Sequence, residues 1–311
     1  MSTFLTLAIP TYNRPRFLDQ QLSWMLRAIR GYETVCEIII SDDGSTDDTP
    51  DIIQKWKTIF SPHVPFRVNV NATNGGPVRN IARCLELAQS EYVWVVGDDD
   101  DIAVGAIAYV IQSLQANPKI TALILNYSIY YAPEGKITCD RYFPVPQETP
   151  GEPGQPLLEN FFRQTQAANG IGFVTSLIYK TETAQQALQA WPASIQNFEA
   201  PGYWTGFCAI QGEAKISQKV WLQYNCGMNS KPIDQKWFGY HYSDLPTMYL
   251  KLIETGYDGK LLRQFMLDHF QHSNLRVILG SLRRWPWMTI RVMVPYLRIV
   301  AMAFWKNRLA V

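Results

Sequence analysis

An α/β protein built on a largely parallel sheet with helices on both faces is what the sequence predicts, on three observations. The first 130 residues alternate short apolar runs with longer amphipathic stretches, as repeated βα units do. Runs such as Cys36-Glu37-Ile38-Ile39-Ile40 and Tyr92-Val93-Trp94-Val95-Val96 are nearly continuous, as in strands covered on both sides. Acidic clusters follow two of these runs directly, and open α/β sheets bind ligands at the carboxyl ends of their strands.

In chain order, strands are expected over residues 4–9, 37–41, 66–70, 92–96 and 120–126, with helices over 14–30, 49–60, 78–89 and 104–116. Pro, Gly and Glu then take over between Pro133 and Pro156, which favours an extended connection. Beyond it a strand is expected over 172–179, a helix over 181–190, and another over 245–255 that Gly256 ends. This divides the chain into a regular α/β half (1–132), a less regular half (133–279) and a tail (280–311).

The 311 residues are 47% hydrophobic and 18% charged, enough apolar surface for a sizeable core. Five dispersed cysteines without a C-x-x-C pair indicate neither a disulfide framework nor a zinc site. No basic leader precedes the strand-like start, so a cytoplasmic protein is expected. The tail holds six of the 28 basic residues and none of the 27 acidic ones, which leaves 22 against 27 in the body and argues against nucleic acid as a partner.

Two acidic turns carry the chemistry. Ser41-Asp42-Asp43-Gly44-Ser45-Thr46-Asp47-Asp48-Thr49 supplies turn formers and helix-start acids, but Asp42 and Asp43 fall at the strand end, where a carboxylate accepts from a base or ribose donor. Gly97-Asp98-Asp99-Asp100-Asp101 packs four acids together, at a cost of about 1 kcal/mol per pair near 4 Å in water and about 4 in a partly enclosed site. A hard divalent cation offsets that repulsion, and Mg²⁺ or Mn²⁺ commonly uses one or two carboxylates plus substrate phosphates. Asn74-Gly75-Gly76-Pro77-Val78-Arg79-Asn80 opens a helix whose start suits an anion.

Ile9-Pro10-Thr11-Tyr12-Asn13-Arg14, the Ser41–Asp47 turn, the Asn74–Asn80 stretch and Gly97-Asp98-Asp99-Asp100 occur in an order and spacing that resemble family 2 glycosyltransferases. Within that family they are most similar to abequosyltransferase-like enzymes of bacterial O-antigen assembly. The resemblance implies a GT-A fold and a nucleoside diphosphate sugar donor. It also implies that Pro10, Thr11, Tyr12 and Arg14 line the nucleotide pocket, that Asp42 or Asp43 meets the base, and that Arg79 lies beside it. The family's metal motif is Asp-x-Asp; Gly97 stands where many members have the first Asp, so Asp99 is the first choice as ligand, with Asp98 or Asp100 assisting.

The same resemblance extends to Tyr242-Ser243-Asp244-Leu245 and the helix that follows. Many members carry Glu-Asp there, and Asp244 is the acid available as catalytic base, against a plain helix N-cap. His269 or His272 is a candidate metal ligand, against ordinary packing. In the tail Arg284, Arg291 and Arg298 recur every seven residues among Trp285, Trp287, Phe304 and Trp305, forming one helical stripe. Its uncharged runs are far shorter than the roughly 20 residues that span a bilayer. A helix lying on the inner face of the cell membrane is expected, which Pro286 and Pro295 kink or divide; a packing helix of an oligomer is the rival.

Metal-assisted, inverting transfer to a polyprenyl-linked glycan follows as the expected activity. A nucleotidyltransferase lacks support, because Pro10–Pro15 is not a glycine-rich basic loop. A non-catalytic sugar or nucleotide binder remains the other alternative, because Leu245 departs from the family's pair.

Overall fold

A computed structural model describes residues 3–165, 169–226, 238–272 and 275–305; the side chains of residues 169, 268–272, 275–276 and 304–305 are outside the description. The first strands fall where their apolar runs place them: β1 Leu5–Thr11, β2 Cys36–Asp42, β3 Phe66–Val70 and β4 Tyr92–Val95. They pair in parallel in the order β3-β2-β1-β4. Leu5, Leu7, Ile9, Ile38, Ile40, Tyr92 and Trp94 are wholly buried. Register sets Thr11 beside Asp42 and Asp42 beside Val70, so the carboxyl ends of three strands lie level.

Helices α1 (Pro15–Ala28), α2 (Thr49–Phe60), α3 (Pro77–Leu87) and α4 (Ala106–Ala116) cross between strands. The first three begin with a proline in the opening turn, where its fixed φ fits and its missing N–H costs nothing. On α1, Leu18, Leu22 and Met25 form the buried stripe.

The sheet does not stop at the Pro133–Pro156 connection. β6 (Ile120–Tyr131) runs five residues past the expected end at Asn126, and β7 (Lys136–Cys139) folds back on it, after a two-residue β5 (Asp101–Ile102). β8 (Glu152–Pro153) leads into α5 (Gly154–Thr165). β9 (Leu177–Lys180) then inserts antiparallel between β4 and β6. The strand expected over 172–179 is therefore only its second half; 3₁₀ turns occupy Asn169–Gly172 and Val174–Ser176. α6 (Thr181–Ala190) and α7 (Ala200–Ile210) precede the 14-residue β10 (Glu213–Cys226), which pairs parallel with β6. Where β10 slips register, the Asn126 side chain replaces the lost ladder bonds: Nδ2 donates to Phe143 and Ser217 carbonyls, and Oδ1 accepts from Tyr127 and Phe143 amides.

α8 (Leu245–Thr255) ends as expected at Gly256, φ 114°, whose N–H donates to Ile253. α9 (Gly259–His272), α10 (Leu275–Arg284) and α11 (Pro286–Trp305) follow. Pro286 opens α11, but Pro295 does not divide it: Tyr296, Ile299 and Ala303 are buried on the body. Tyr296 Oη donates to the Met266 carbonyl and Arg263 to that of Ala303, which holds the helix across the residue that lacks an N–H.

Close packing of α5 on α7 depends on Gly154, where an added Cβ would stand 2.1 Å from the Ala209 carbonyl oxygen. Gly154→Ala is expected to cost about 1–3 kcal/mol, the usual price of overpacking. Urea denaturation would read this as a lower midpoint; an unchanged midpoint would contradict the close approach.

Candidate active site

The level strand ends place the first two motif loops against each other. Asn13 adopts φ 52°; its N–H donates to Ser45 Oγ and its Oδ1 accepts from Thr46 N–H, both at 2.8 Å. Asp42 is buried and turned inward, its Oδ1 accepting the Ser45 amide (3.0 Å) and hydroxyl (2.5 Å). Asp43 reaches the other way. Its carboxylate accepts the Gly75 amide at both oxygens (3.0 Å), the Gly76 amide (2.9 Å) and Asn71 Nδ2 (2.8 Å). The anion expected at the start of α3 is thus the protein's own carboxylate.

A cavity of about 280 Å³ opens over these loops, lined by Pro10, Thr11, Tyr12, Arg14, Asp43 and Asp98 among the residues the sequence singled out. Asp42 and the exposed Arg79 do not line it. Asn80, the last residue of the Asn74–Asn80 motif, does: its Nδ2 donates to the Ser41 (2.8 Å) and Thr11 (3.3 Å) carbonyls, tying β1 to β2.

At the cavity's edge the acidic turn after β4 divides. Asp98 is 6% exposed; Thr11 Oγ1 donates to one oxygen (2.8 Å) and Arg14 Nη1 to the other (3.0 Å). The same guanidinium nitrogen donates to Asp99 Oδ2 at 2.6 Å. Two hard oxygens therefore converge on one cationic position, a donor set that fits Mg²⁺ or Mn²⁺ if substrate phosphates complete the shell. Among the described residues no group of three or more His, Cys, Asp and Glu side chains converges for a metal. Asp100 turns aside to accept from Thr175 Oγ1. Burial holds the Asp98 carboxyl above the usual range and, with Asp99 and Asp98 close by, lifts Asp100 to about 6. The side chains of His269 and His272, on α9, are outside the described residues.

Asp100 also faces a second cavity of about 480 Å³, which shares Pro10 and Ile81 with the first. Its wall is aromatic: Tyr127 stacks on Tyr142 at 4.7 Å and meets Phe173 edge-on at 4.9 Å, with Tyr224 beside them. Glu199 and Tyr240 belong to the same lining. Glu199 is 7% exposed, accepts Tyr240 Oη at 2.6 Å on Oε1, and has no hydrogen bond on Oε2. Burial, aided by Asp244, pushes it up to about 7.

Asp244 does not line this cavity. It ends a π-helical turn, Tyr240–Asp244, so its backbone is already helical rather than capping α8. Its Oδ2 accepts the Phe198 amide at 3.4 Å and its carbonyl accepts Asn197 Nδ2. Sequence reasoning missed Glu199, although Pro201, in the first turn of α7, marks Glu199 as that helix's N-cap.

The profile of the glycosyl transferase family 2 matches residues 6–175, which carry every strand and loop of the first cavity. The chain belongs to glycosyl transferase family 2. The abequosyltransferase of Salmonella typhimurium is 35% identical over 107 residues, 33% of this chain and 30% of that protein. The GalNAc(5)-diNAcBac-PP-undecaprenol beta-1,3-glucosyltransferase of Campylobacter jejuni is 30% identical over 109 residues, 35% of this family 2 chain and 33% of its relative. The matches thus span about a third of these relatives. Solved structures of S. aureus TarS with UDP-GlcNAc (TM-score 0.68, 15% identity, covering 96% of this chain and 82% of that one) and of the Pyrobaculum calidifontis mannosyltransferase PcManGT with GDP-Man and Mn²⁺ (0.57, 15%, 98% and 88%) share the GT-A fold.

Raised carboxyl pKa values reverse the usual acid behaviour of stability. Asp100 and Glu199 favour the folded state most below about pH 4, the unfolded carboxylate value, and that contribution is lost as pH rises through about 6 and 7. Metal-free protein is therefore expected to lose stability between pH 4 and 7 more steeply than Asp100→Asn protein. Urea unfolding of both at several pH values, without and with Mn²⁺, checks this; parallel curves would refute it. Mn²⁺ is expected to restore the wild type's stability most at the upper end of the window.

Proposed function

We propose that the protein transfers a sugar, with inversion, from a nucleoside diphosphate sugar to a hydroxyl of a lipid-linked glycan in surface polysaccharide assembly. The observation that carries this reading is the meeting of two cavities at one acidic turn, one at the strand ends lined by Arg14, Asp43 and Asp98 and an aromatic one with a buried carboxylate. The donor's nucleotide occupies the first, between the Pro10–Arg14 loop and the Asp43-held Asn74–Gly76 turn. The acceptor enters the second. The undecaprenol-linked substrate in the name of the Campylobacter relative supports a lipid-borne acceptor.

A divalent cation, Mg²⁺ or Mn²⁺, held by Asp99 and Asp98 would supply charge stabilisation for the departing diphosphate. Arg14, which bridges those two carboxylates, is the positive group that can turn to the phosphates instead. A carboxylate on the acceptor side takes the hydroxyl proton. The resemblance to the family offers Asp244 for that role, although Asp244 only bonds the amide of Phe198, a wall residue of the second cavity, and does not line the cavity itself.

For the membrane, the support is one face of the last two helices. Leu279, Leu282, Trp287 (83% exposed), Ile290, Val294 and Leu297 all face outward, with Arg283, Arg284, Arg291 and Arg298 exposed among them. Among the described residues no helix is long and apolar enough to cross a bilayer. Such a face suits the interface of an anionic leaflet, each arginine near the surface contributing about 1 kcal/mol. The protein then works on the cytoplasmic side, where nucleotide sugars and lipid carriers meet.

A thermal-shift panel of UDP-, GDP-, CDP- and dTDP-sugars with and without Mn²⁺ tests the donor site. One class is expected to raise the melting temperature with Mn²⁺ present, and Asp99→Ala is expected to abolish that shift without lowering the unliganded melting point. No shift from any donor would reject the reading. For the tail, Trp287→Glu with Arg291→Glu and Arg298→Glu should leave donor binding intact and release the protein from phosphatidylglycerol vesicles. Wild-type binding is expected to weaken with salt but persist. Co-sedimentation of the triple variant at the wild-type level would reject the membrane face.

A further inference from the structure

We infer that Glu199, and not Asp244, deprotonates the acceptor hydroxyl, and that the acceptor unit it addresses is a sugar ring packed on the aromatic wall of the second cavity. The inference rests on the glycosyl-transfer reading above. Of the two carboxylates, Glu199 alone lines the cavity. Its Oε2 is buried without a hydrogen-bond donor, an expensive state for a charged oxygen unless a substrate group occupies it. Oε1 is fixed by Tyr240 Oη, so the free oxygen has a set direction. Oε2 lies beside two residues without side chains: a Cβ at Gly172 or Gly202 would come into ordinary contact with it, at 3.5 and 3.7 Å.

Asp244 has the opposite character. Its carboxylate accepts the Phe198 amide and its carbonyl accepts Asn197 Nδ2, and its influence on Glu199 is repulsion between like charges. Facing Glu199 from the packed elements are Tyr240 and Asp244 of the turn before α8 and Tyr142 of the aromatic wall. The Tyr240 bond favours the charged carboxylate, and Asp244 and burial favour the neutral one. Tyr142, Phe173 and Tyr224, packed round the buried Tyr127, present ring surface suited to the apolar face of a pyranose.

In the step itself, the acceptor oxygen bonds to the anomeric carbon as its proton passes to Glu199 Oε2. The bond from the anomeric carbon to the diphosphate oxygen breaks, and its electron pair leaves with the nucleoside diphosphate. The proton returns to solvent afterwards.

The test follows nucleoside diphosphate release from UDP-glucose, UDP-GlcNAc, GDP-mannose and dTDP-glucose, with water or free monosaccharides as acceptors, in full-length protein. Glu199→Gln is expected to lower turnover about 10²-fold or more while the donor-induced melting shift stays normal. Asp244→Asn is expected to retain turnover within a few-fold and move the acid limb of the pH profile to lower pH. Tyr240→Phe should move it to higher pH, a response that a merely structural tyrosine would not give. Infrared difference spectra are expected to show a carboxylic C=O band titrating near the same pH and missing from Glu199→Gln. Turnover kept by Glu199→Gln and lost by Asp244→Asn would overturn the assignment and leave glycosyl transfer standing. Wild-type protein that releases nucleoside diphosphate from none of the four donors would remove both.

Discussion

Arg14 bridges Asp98 and Asp99 at the carboxyl edge of the sheet, and the arrangement of both cavities follows from that bridge. Three adjacent acids cannot share so small a turn unless their charges are met separately. Asp98 takes Thr11 and Arg14, Asp99 takes Arg14, and Asp100 leans away to Thr175. That leaning is what divides the turn between the two cavities. Thr11 closes the last level of β1, and Thr175 comes from the 3₁₀ turn just before β9, so both strands beside β4 hold the turn they flank.

The first 130 residues were legible because local and tertiary preferences agree there: unbroken apolar runs end in turn formers, and prolines mark the helix starts. The later half reads poorly for identifiable reasons. α7 contains Pro201, Gly202 and Gly206, a poor helix by propensity, and forms because nearly every side chain in it is buried. β10 hides behind Lys215, a buried amine paired with Glu148 and donating to Ser113, and behind the register slip that Asn126 repairs. Neither the partner of a buried lysine nor a bulge is visible in sequence.

Within the site the same distinction holds. Pro10, Thr11, Tyr12, Arg14, Asp43 and Asp98 were found because they sit in short motifs at strand ends. Glu199 escaped because its neighbours come from afar: Tyr240 is 41 residues away, and the aromatic wall draws on β6, β10 and the turns before β9. Asp244 drew attention by its motif, and the fold gives it a backbone-bonded place beside the cavity rather than in it.

The filled start of α3 has a consequence for how the enzyme lets go. Many nucleotide sites clasp phosphate with the fixed amides of a helix N-terminus, which grip substrate and product alike. Here those amides at Gly75 and Gly76 are satisfied by Asp43. Under the proposed activity, the leaving group must be balanced by charges that can depart: a cation, and a guanidinium with a home on Asp98 and Asp99. Once such a nucleotide and its ion had dissociated, Arg14 would be free to return to its carboxylates, where it stands in this structure. Ejection of the product and resetting of the empty site would then be one movement, and the speed of that exchange would cap turnover separately from the sugar chemistry.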